Sequence, residues 1–463
     1  MKFADVDELE YFLSDNSDIE LLELLMPDMN GILRCKRIQK AEFASLFRGD
    51  FQVPRSVPFL GIMGEMYDGV SQVEFGGDPD QIIRPIAGTL SRVPWYESPV
   101  AQVLTAYTTP EGKIDWVDPR SPLINVMEIL AGDGLSPVTA TELEFYLLDP
   151  TGDDRPSPLV GKIPGTRQRQ AGIQYCMVDD LIDCDALLND IREACELHGV
   201  PLTAIHSEFS PGQWEINTHH VEDPVLAADH AMLLRRIVKG VARKHDTGAT
   251  FMAKPFADIA GSGMHIHASL YDRDGANIFA CDPDTVTEAT LEASDNIRHA
   301  IAGLGDTLDE SMAIFAPNPN SYRRFKAGAF APSGLTWGYD HREVALRIPR
   351  SSEKNRRIEH RLSGADANPY LVLAAVLAGM HWGICNALEP GSPVLREADL
   401  SEAPTTLPTR LDAALHLFKQ GDKLTSYLGE TFTREFAAMR QGESDDYHGR
   451  VPDLDYAFYL RAI

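Results

Sequence analysis

Val138-Thr139-Ala140-Thr141-Glu142-Leu143-Glu144-Phe145-Tyr146-Leu147-Leu148 decides how this chain is read. β-Branched and aromatic residues at this density favour an extended strand. On a strand, Glu142 and Glu144 share one face while Leu143 and Phe145 point to the other. Two acids in an otherwise apolar strand are costly to bury unless something neutralises them.

Three further segments carry the same kind of residue. In His206-Ser207-Glu208-Phe209-Ser210-Pro211-Gly212-Gln213-Trp214-Glu215-Ile216-Asn217, Pro211-Gly212 suits the centre of a type II turn. A symmetric hairpin about those two residues sets Glu208 directly across from Glu215, an unfavourable pair of like charges unless a cation lies between them. Gly261-Ser262-Gly263-Met264-His265-Ile266-His267 again puts two ligand-type side chains on one face. In Arg357-Ile358-Glu359-His360-Arg361, two arginines flank a glutamate, with Arg342, Arg347 and Lys354 just before. Taken singly, each item has an ordinary reading: a solvated strand edge, a hydrogen-bonded histidine, a surface ion pair. Together, five carboxylates and one imidazole (Glu142, Glu144, Glu208, Glu215, His265 and Glu359) predict a multi-metal site. Oxygen-rich ligation with one imidazole suits Mg²⁺ or Mn²⁺. Guanidinium forks beside it suit phosphate oxygens. The chain has no Walker loop and no Rossmann fingerprint.

The 463 residues suffice for a large core and two domains. The 42 basic against 69 acidic residues give a net charge of −27, which argues against partners with phosphate backbones or anionic membranes. The same acidity equally serves to keep a large oligomer in solution. Six cysteines without a CxxC pair are expected to be free thiols in a reducing cytoplasm. The start, Met1-Lys2-Phe3-Ala4-Asp5, reads as too polar for a signal peptide. The apolar run Pro369 to Leu388 contains His381 and Asn386 and opens on Asn368-Pro369, so it predicts a buried helix rather than a membrane span.

Along the chain, Asp28-Met29-Asn30-Gly31 predicts a turn before the strand Ile32 to Arg37. Hydrophilic breaks at 108–112 and 118–122 set a boundary between a small β-rich domain, residues 1–110, and a larger unit, 111–463. Helices are expected over Leu181 to Leu197, closed by Gly199, and over Pro224 to Lys244; strands over Thr250 to Ala253 and His265 to Tyr271. The class is α+β.

These blocks, with Lys254-Pro255, Asn320-Ser321-Tyr322-Arg323-Arg324, Arg342 to Pro349 and Asn368-Pro369-Tyr370, resemble the type I glutamine synthetases over essentially the whole chain. The resemblance implies an N-terminal β-grasp domain and a catalytic domain with a curved antiparallel sheet. It also implies a cytoplasmic dodecamer of two hexameric rings. By position, Glu144, Glu208 and Glu215 look like ligands of a metal on the acyl side, and Glu142, His265 and Glu359 like ligands of a metal on the ATP side, with two to three ions per site. Arg342, Arg347 and Arg357 match phosphate-handling arginines, with His267 and Lys354 on the nucleotide side. Gly261, Arg324 and Arg361 match the glutamate grip, and Arg342 and Arg324 are the catalytic candidates. The implied chemistry is phosphorylation of the glutamate γ-carboxylate by ATP, then attack by a nitrogen nucleophile.

Three departures concern that nitrogen. Lys326-Ala327-Gly328-Ala329-Phe330-Ala331-Pro332 puts phenylalanine where ammonia-using relatives carry a glutamate. Their Asp-Gly-Ser-Ser motif is missing between Gly49 and Val73, and Ala260 replaces an asparagine that helps hold glutamate. The pattern resembles the γ-glutamylpolyamine or γ-glutamylamine synthetase branch, in which a small cationic amine replaces ammonia and Phe330 walls the amine side. Glu65, Glu74 and Asp340 are candidates for the carboxylate that serves the amine. Ordinary glutamine synthesis, and a non-catalytic structural or nitrogen-sensing role, are the alternatives; retention of all six ligands speaks against the latter.

Overall fold

The computed structural model describes residues 1–71, 76–151, 155–281, 294–325, 331–332, 334–395 and 407–463. Two sheets organise them, and the architecture is α+β as expected. The first contains β1 (Leu21–Pro27), β2 (Leu33–Gln39), β3 (Gln52–Pro54), β4 (Asp80–Pro85), β5 (Ser91–Arg92) and β6 (Val100–Thr108). Its order is β2-β1-β6-β4-β3, with β5 beside β6; only β1 and β6 run parallel. The predicted turn joins β1 to β2. Gly31, at φ +71°, donates its N–H to the Asp28 carbonyl (3.0 Å). That left-handed conformation is one glycine adopts freely.

The second sheet contains β7 (Ser136–Leu148), β8 (Leu202–Ser207), β9 (Gln213–Thr218), β10 (Gly248–Thr250), β11 (Met264–Tyr271), β12 (Trp337–Tyr339), β13 (Leu346–Ile348) and β14 (Ile358–His360). The order is β12-β13-β14-β11-β7-β9-β8, with β10 on β7, and every pair except β12–β13 is antiparallel. Leu143, Phe145, Trp214, Ile216, Met264, Ile266, Leu346 and Ile358 bury one face. The helix Pro224–Lys244 packs on β7 and against the helix Pro369–Cys385. Burying each large apolar side chain of this layer contributes about 1.5–3 kcal/mol.

These two helices begin where the sequence signals them. The Asp223 carboxylate accepts from the Val225 N–H (2.9 Å), and the Asn368 side-chain oxygen from the Tyr370 N–H (2.9 Å), each followed by proline at the first helical position. Among the described residues no helix is long and apolar enough to cross a membrane. Two expectations change. The stretch Leu181 to Leu197 is not one helix: it divides at Cys184 into Val178–Asp183 and Asp185–Leu197. The strand expected over Thr250 to Ala253 is Gly248–Thr250 instead, because pairing with β7 ends at Tyr146↔Thr250.

Candidate active site

The ladder registers explain how distant carboxylates meet. Opposite partners in a sheet point to the same face, and so do residues two apart on one strand. Glu144 lies opposite Glu215, which lies opposite His206. One step along, Glu142 lies opposite His265 on one side and Asn217 on the other. One further step along, His267 lies opposite Glu359, which lies opposite Arg347. Three successive rows thus put acids, imidazoles and a guanidinium on the face opposite the apolar layer.

In the middle row, His265 Nδ1 is 3.2 Å from Glu142 Oε2 and 4.0 Å from Glu359 Oε1, and its Nε2 is 3.5 Å from Glu144 Oε1. His267 Nε2 reaches Glu142 Oε1 at 2.8 Å, and Arg357 Nε approaches His267 Nδ1 at 3.0 Å. Glu359, buried, accepts from Arg347 Nη1 (2.6 Å) and from Arg361. Arg347 also donates to Asp340 (2.6 Å). Arg342 and Lys354 are exposed at the margin.

The glycines before His265 are there for space. A Cβ at Gly261 would strike the Ala253 carbonyl and lie 2.9 Å from Arg324 Cγ; one at Gly263 would lie 2.8 Å from Arg324 Nη2 and 3.0 Å from His265 Nε2. The Gly263 N–H donates to Glu144 Oε2 (2.8 Å). Arg324 is buried, held by the carbonyls of Leu362 (2.7 Å) and Arg361 (3.0 Å). Tyr146 donates its hydroxyl to the Ala260 carbonyl (2.7 Å), and the Ala260 N–H donates to Ser210 Oγ (2.9 Å).

Charge is unevenly shared. Burial pushes the Glu215 carboxyl well above the usual range, reinforced by the charges of Glu142, Glu144 and Glu208. Burial also works against the Glu142 carboxylate, but His267 and His265 outweigh it and hold its pKa below the usual range. Glu359 is held at about 2: burial opposes ionisation, and His267, Arg361 and His265 overcome it. For Glu208 the opposing burial is overcome by the nearby His206 and by the Phe209 N–H, and its pKa stays below the usual range.

The donor set fits divalent cations. Glu142, His265 and Glu359 each aim one ligand atom into a common space, as do Glu144, Glu215 and His265, and His206, Glu208 and Glu215. Mutual repulsion at Glu215 is what a hard cation relieves.

One geometric expectation fails. Glu208 is not across from Glu215. Pro211-Gly212 does form the turn, with the Gln213 N–H on the Ser210 carbonyl (3.0 Å) and Gly212 at φ +76°. The Glu208 N–H, however, bonds the Gln213 carbonyl (2.9 Å), so the loop is two residues longer than a two-residue hairpin and His206 takes the place opposite Glu215. Sequence reading passed over His206, which lies 3.7 Å from Glu215 and 3.8 Å from Glu208. It also passed over Gln213, a donor to Glu144 (3.1 Å), and Asn217, a donor to Glu215 (3.0 Å). Their i−2 and i+2 spacing from the named acids was the available signal. Asp340 is engaged by Arg347, and Glu65 accepts from the Tyr67 hydroxyl (2.7 Å). Phe330 and Glu74 lie outside the described residues.

Comparison with known proteins agrees in extent as well as in kind. The glutamine synthetase catalytic-domain model matches residues 116–459. The γ-glutamylputrescine synthetase PuuA of Escherichia coli is 36% identical over 461 residues, covering 99% of this chain and 95% of that protein. A glutamate–isopropylamine ligase of a Pseudomonas species is 31% identical, covering 97% and 96%. The solved structure of GmaS without ligand superposes with a TM-score of 0.81 at 25% identity, covering 97% of this chain and 99% of that one. Carbon–nitrogen ligases of this kind use ATP and a divalent metal such as Mg²⁺ or Mn²⁺. With its acidic face intact across the matched length, the chain belongs to the type I glutamine synthetase family, in its glutamylamine synthetase branch.

Proposed function

We propose that this protein joins glutamate to an organic amine, a polyamine or a monoamine, through γ-glutamyl phosphate formed from ATP. The observation that carries the reading is the gathering of Glu142, Glu144, Glu208, Glu215, His265 and Glu359 on one sheet face, bordered by Arg347, Arg357 and Arg361. Bound Mg²⁺ or Mn²⁺ would supply charge screening between the two anions that must meet. Glu144, Glu208 and Glu215 would hold the ion on the acyl side, and Glu142, His265 and Glu359 the ion on the phosphate side. Arg342, Arg347 and Arg357, with Lys354 and His267 beside them, orient phosphoryl oxygens and stabilise the charge that grows on them in transit. Arg324 and Arg361, with the side-chain-free backbone at Gly261 packed against Arg324, receive the glutamate carboxylates.

The choice of amine over ammonia rests on Phe330 in place of a glutamate and on the names of similar proteins, a γ-glutamylputrescine synthetase, a glutamate–isopropylamine ligase and a γ-glutamylethanolamide synthetase. An alkylamine with a lysine-like pKa is neutral in roughly one molecule per thousand at pH 7, a deficit of about 4–5 kcal/mol that a carboxylate near the site must offset. The proposed organisation is an N-terminal domain of residues 1–110, a catalytic domain of residues 111–463, and a cytoplasmic dodecamer. The test is phosphate release with ATP, Mg²⁺ and glutamate across putrescine, isopropylamine, ethanolamine and ammonium. A primary amine should exceed ammonium by at least about tenfold; equal or faster turnover with ammonium makes the protein a glutamine synthetase instead.

A further inference from the structure

Away from the acidic face, a second cluster lies where two helices end. Asp133 caps the C-terminus of the helix Ser121–Gly132, and His381 and Cys385 occupy the last turn of Pro369–Cys385. Their i, i+4 spacing puts both on one side of that helix, facing Asp133. His381 Nε2 is 3.0 Å from Asp133 Oδ2 and 3.4 Å from Cys385 Sγ, and Sγ is 3.9 Å from Oδ2. Sulfur, nitrogen and oxygen bound to one tetrahedral zinc ion lie about 3.3–3.6 Å apart, from the usual bond lengths. The three atoms already bracket that spacing. Sγ is also 3.8 Å from Nδ1, so it sits over the ring, and capture includes a turn about the Cα–Cβ bond of this exposed side chain.

The far nitrogen is fixed independently. His381 Nδ1 lies 2.8 Å from the Tyr427 hydroxyl, a partner that can accept Nδ1–H and leave the Nε2 lone pair toward Asp133 and Cys385. A ligating histidine commonly has its other nitrogen held in this way. The imidazole is buried while Asp133 and Cys385 are exposed, so the cluster opens to solvent on one side and leaves a fourth position for water. The arrangement does not suit a nucleophile relay, because carboxylate and thiol approach the same ring nitrogen rather than opposite ones.

We propose that Asp133, His381 and Cys385 form a second metal site, for a thiophilic divalent ion such as Zn²⁺, separate from the Mg²⁺-type face and independent of the proposed ligase activity. Binding replaces the S–H bond of Cys385 with a metal–thiolate bond and releases the proton to solvent.

The test uses the full chain, stripped of metal and held in excess Mg²⁺ to occupy the acidic face, then titrated with Co²⁺ and challenged with Zn²⁺. A near-ultraviolet thiolate-to-cobalt band should grow to one equivalent per chain and be displaced by Zn²⁺. Cys385→Ser should abolish it, and Asp133→Asn should weaken Co²⁺ binding at least about tenfold, both with unchanged amine-dependent phosphate release and far-ultraviolet circular dichroism. No band in the parent protein overturns the proposal. A band that survives in Cys385→Ser belongs to another thiol and overturns it equally.

Discussion

Glu359 sits between two guanidiniums and an imidazole on its edge of the sheet. Arg347 and Arg361 donate to it, and His265 faces it at 4.0 Å. Replacing it with glutamine leaves two half-paired guanidiniums in a buried setting, and removing one member of such a pair costs about 3–5 kcal/mol. Urea denaturation of Glu359→Gln without divalent metal should register that loss, and activity at saturating ATP should fall with it. A variant as stable as the parent would show that the pair is nearly neutral. At His198 the consequence is pH dependence. Its ring is buried beside Trp95, with Nδ1 at the Ala194 carbonyl and no partner for Nε2 among the described residues. Burial lowers its pKa to about 4, from a usual value near 6.5. The unfolded chain therefore takes up this proton first as pH falls. The stabilisation is present above about pH 6.5 and is lost progressively toward pH 4, about 2 kcal/mol of it by pH 5. His198→Gln should remove that share of the difference between denaturation curves at pH 7 and pH 5. An identical acid loss in parent and variant would assign it to other histidines.

Helices and strands differ in how openly the sequence declares them. Asp223-Pro224 and Asn368-Pro369 each combine a capping side chain with a proline at the first helical position, and both helices start there. Asn368 does more than cap. Its amide also donates to the Asp28 carbonyl (2.9 Å), which joins the turn between β1 and β2 to the long apolar helix. Asn368→Ala should cost about 1–3 kcal/mol, from the lost cap and the lost amide bond to a carbonyl that keeps only the Gly31 N–H, read as a lower urea midpoint at unchanged m. Loss of the cap alone would come at the lower end of that range. The acidic face was legible because alternation along β7 and β11 carries its own register. The β8–β9 hairpin was not: Pro211-Gly212 marks the turn but not how many residues surround it, and two more shift every cross-strand partner. His206 was hidden for that reason, since its role depends on standing opposite Glu215. Cys184 interrupts a segment whose apolar spacing is helical on both sides, and no glycine or proline announces the break.

At the scale of the whole molecule, a chain of net charge −27 concentrates several of its carboxylates on one sheet face. The fold bears that repulsion most visibly at Glu215. A divalent cation that binds the folded form only should stabilise it by about 2.7 kcal/mol at a hundredfold excess over its Kd. Thermal unfolding with MgCl₂ against NaCl at matched ionic strength should therefore show a higher Tm with Mg²⁺, and Glu215→Gln should narrow the gap. Equal Tm values in the two salts would remove the metal reading of the face. The alternation that builds this face also limits how such a protein can diversify. Inserting one residue in β7 ahead of Glu142 would, with the pairing of the preceding residues kept, send Glu142 and Glu144 into the apolar layer and Leu143 onto the acidic face. Strand length is thereby frozen, and changes in what the site accepts must be written in the loops around the sheet, where insertions leave the register of the acidic face untouched.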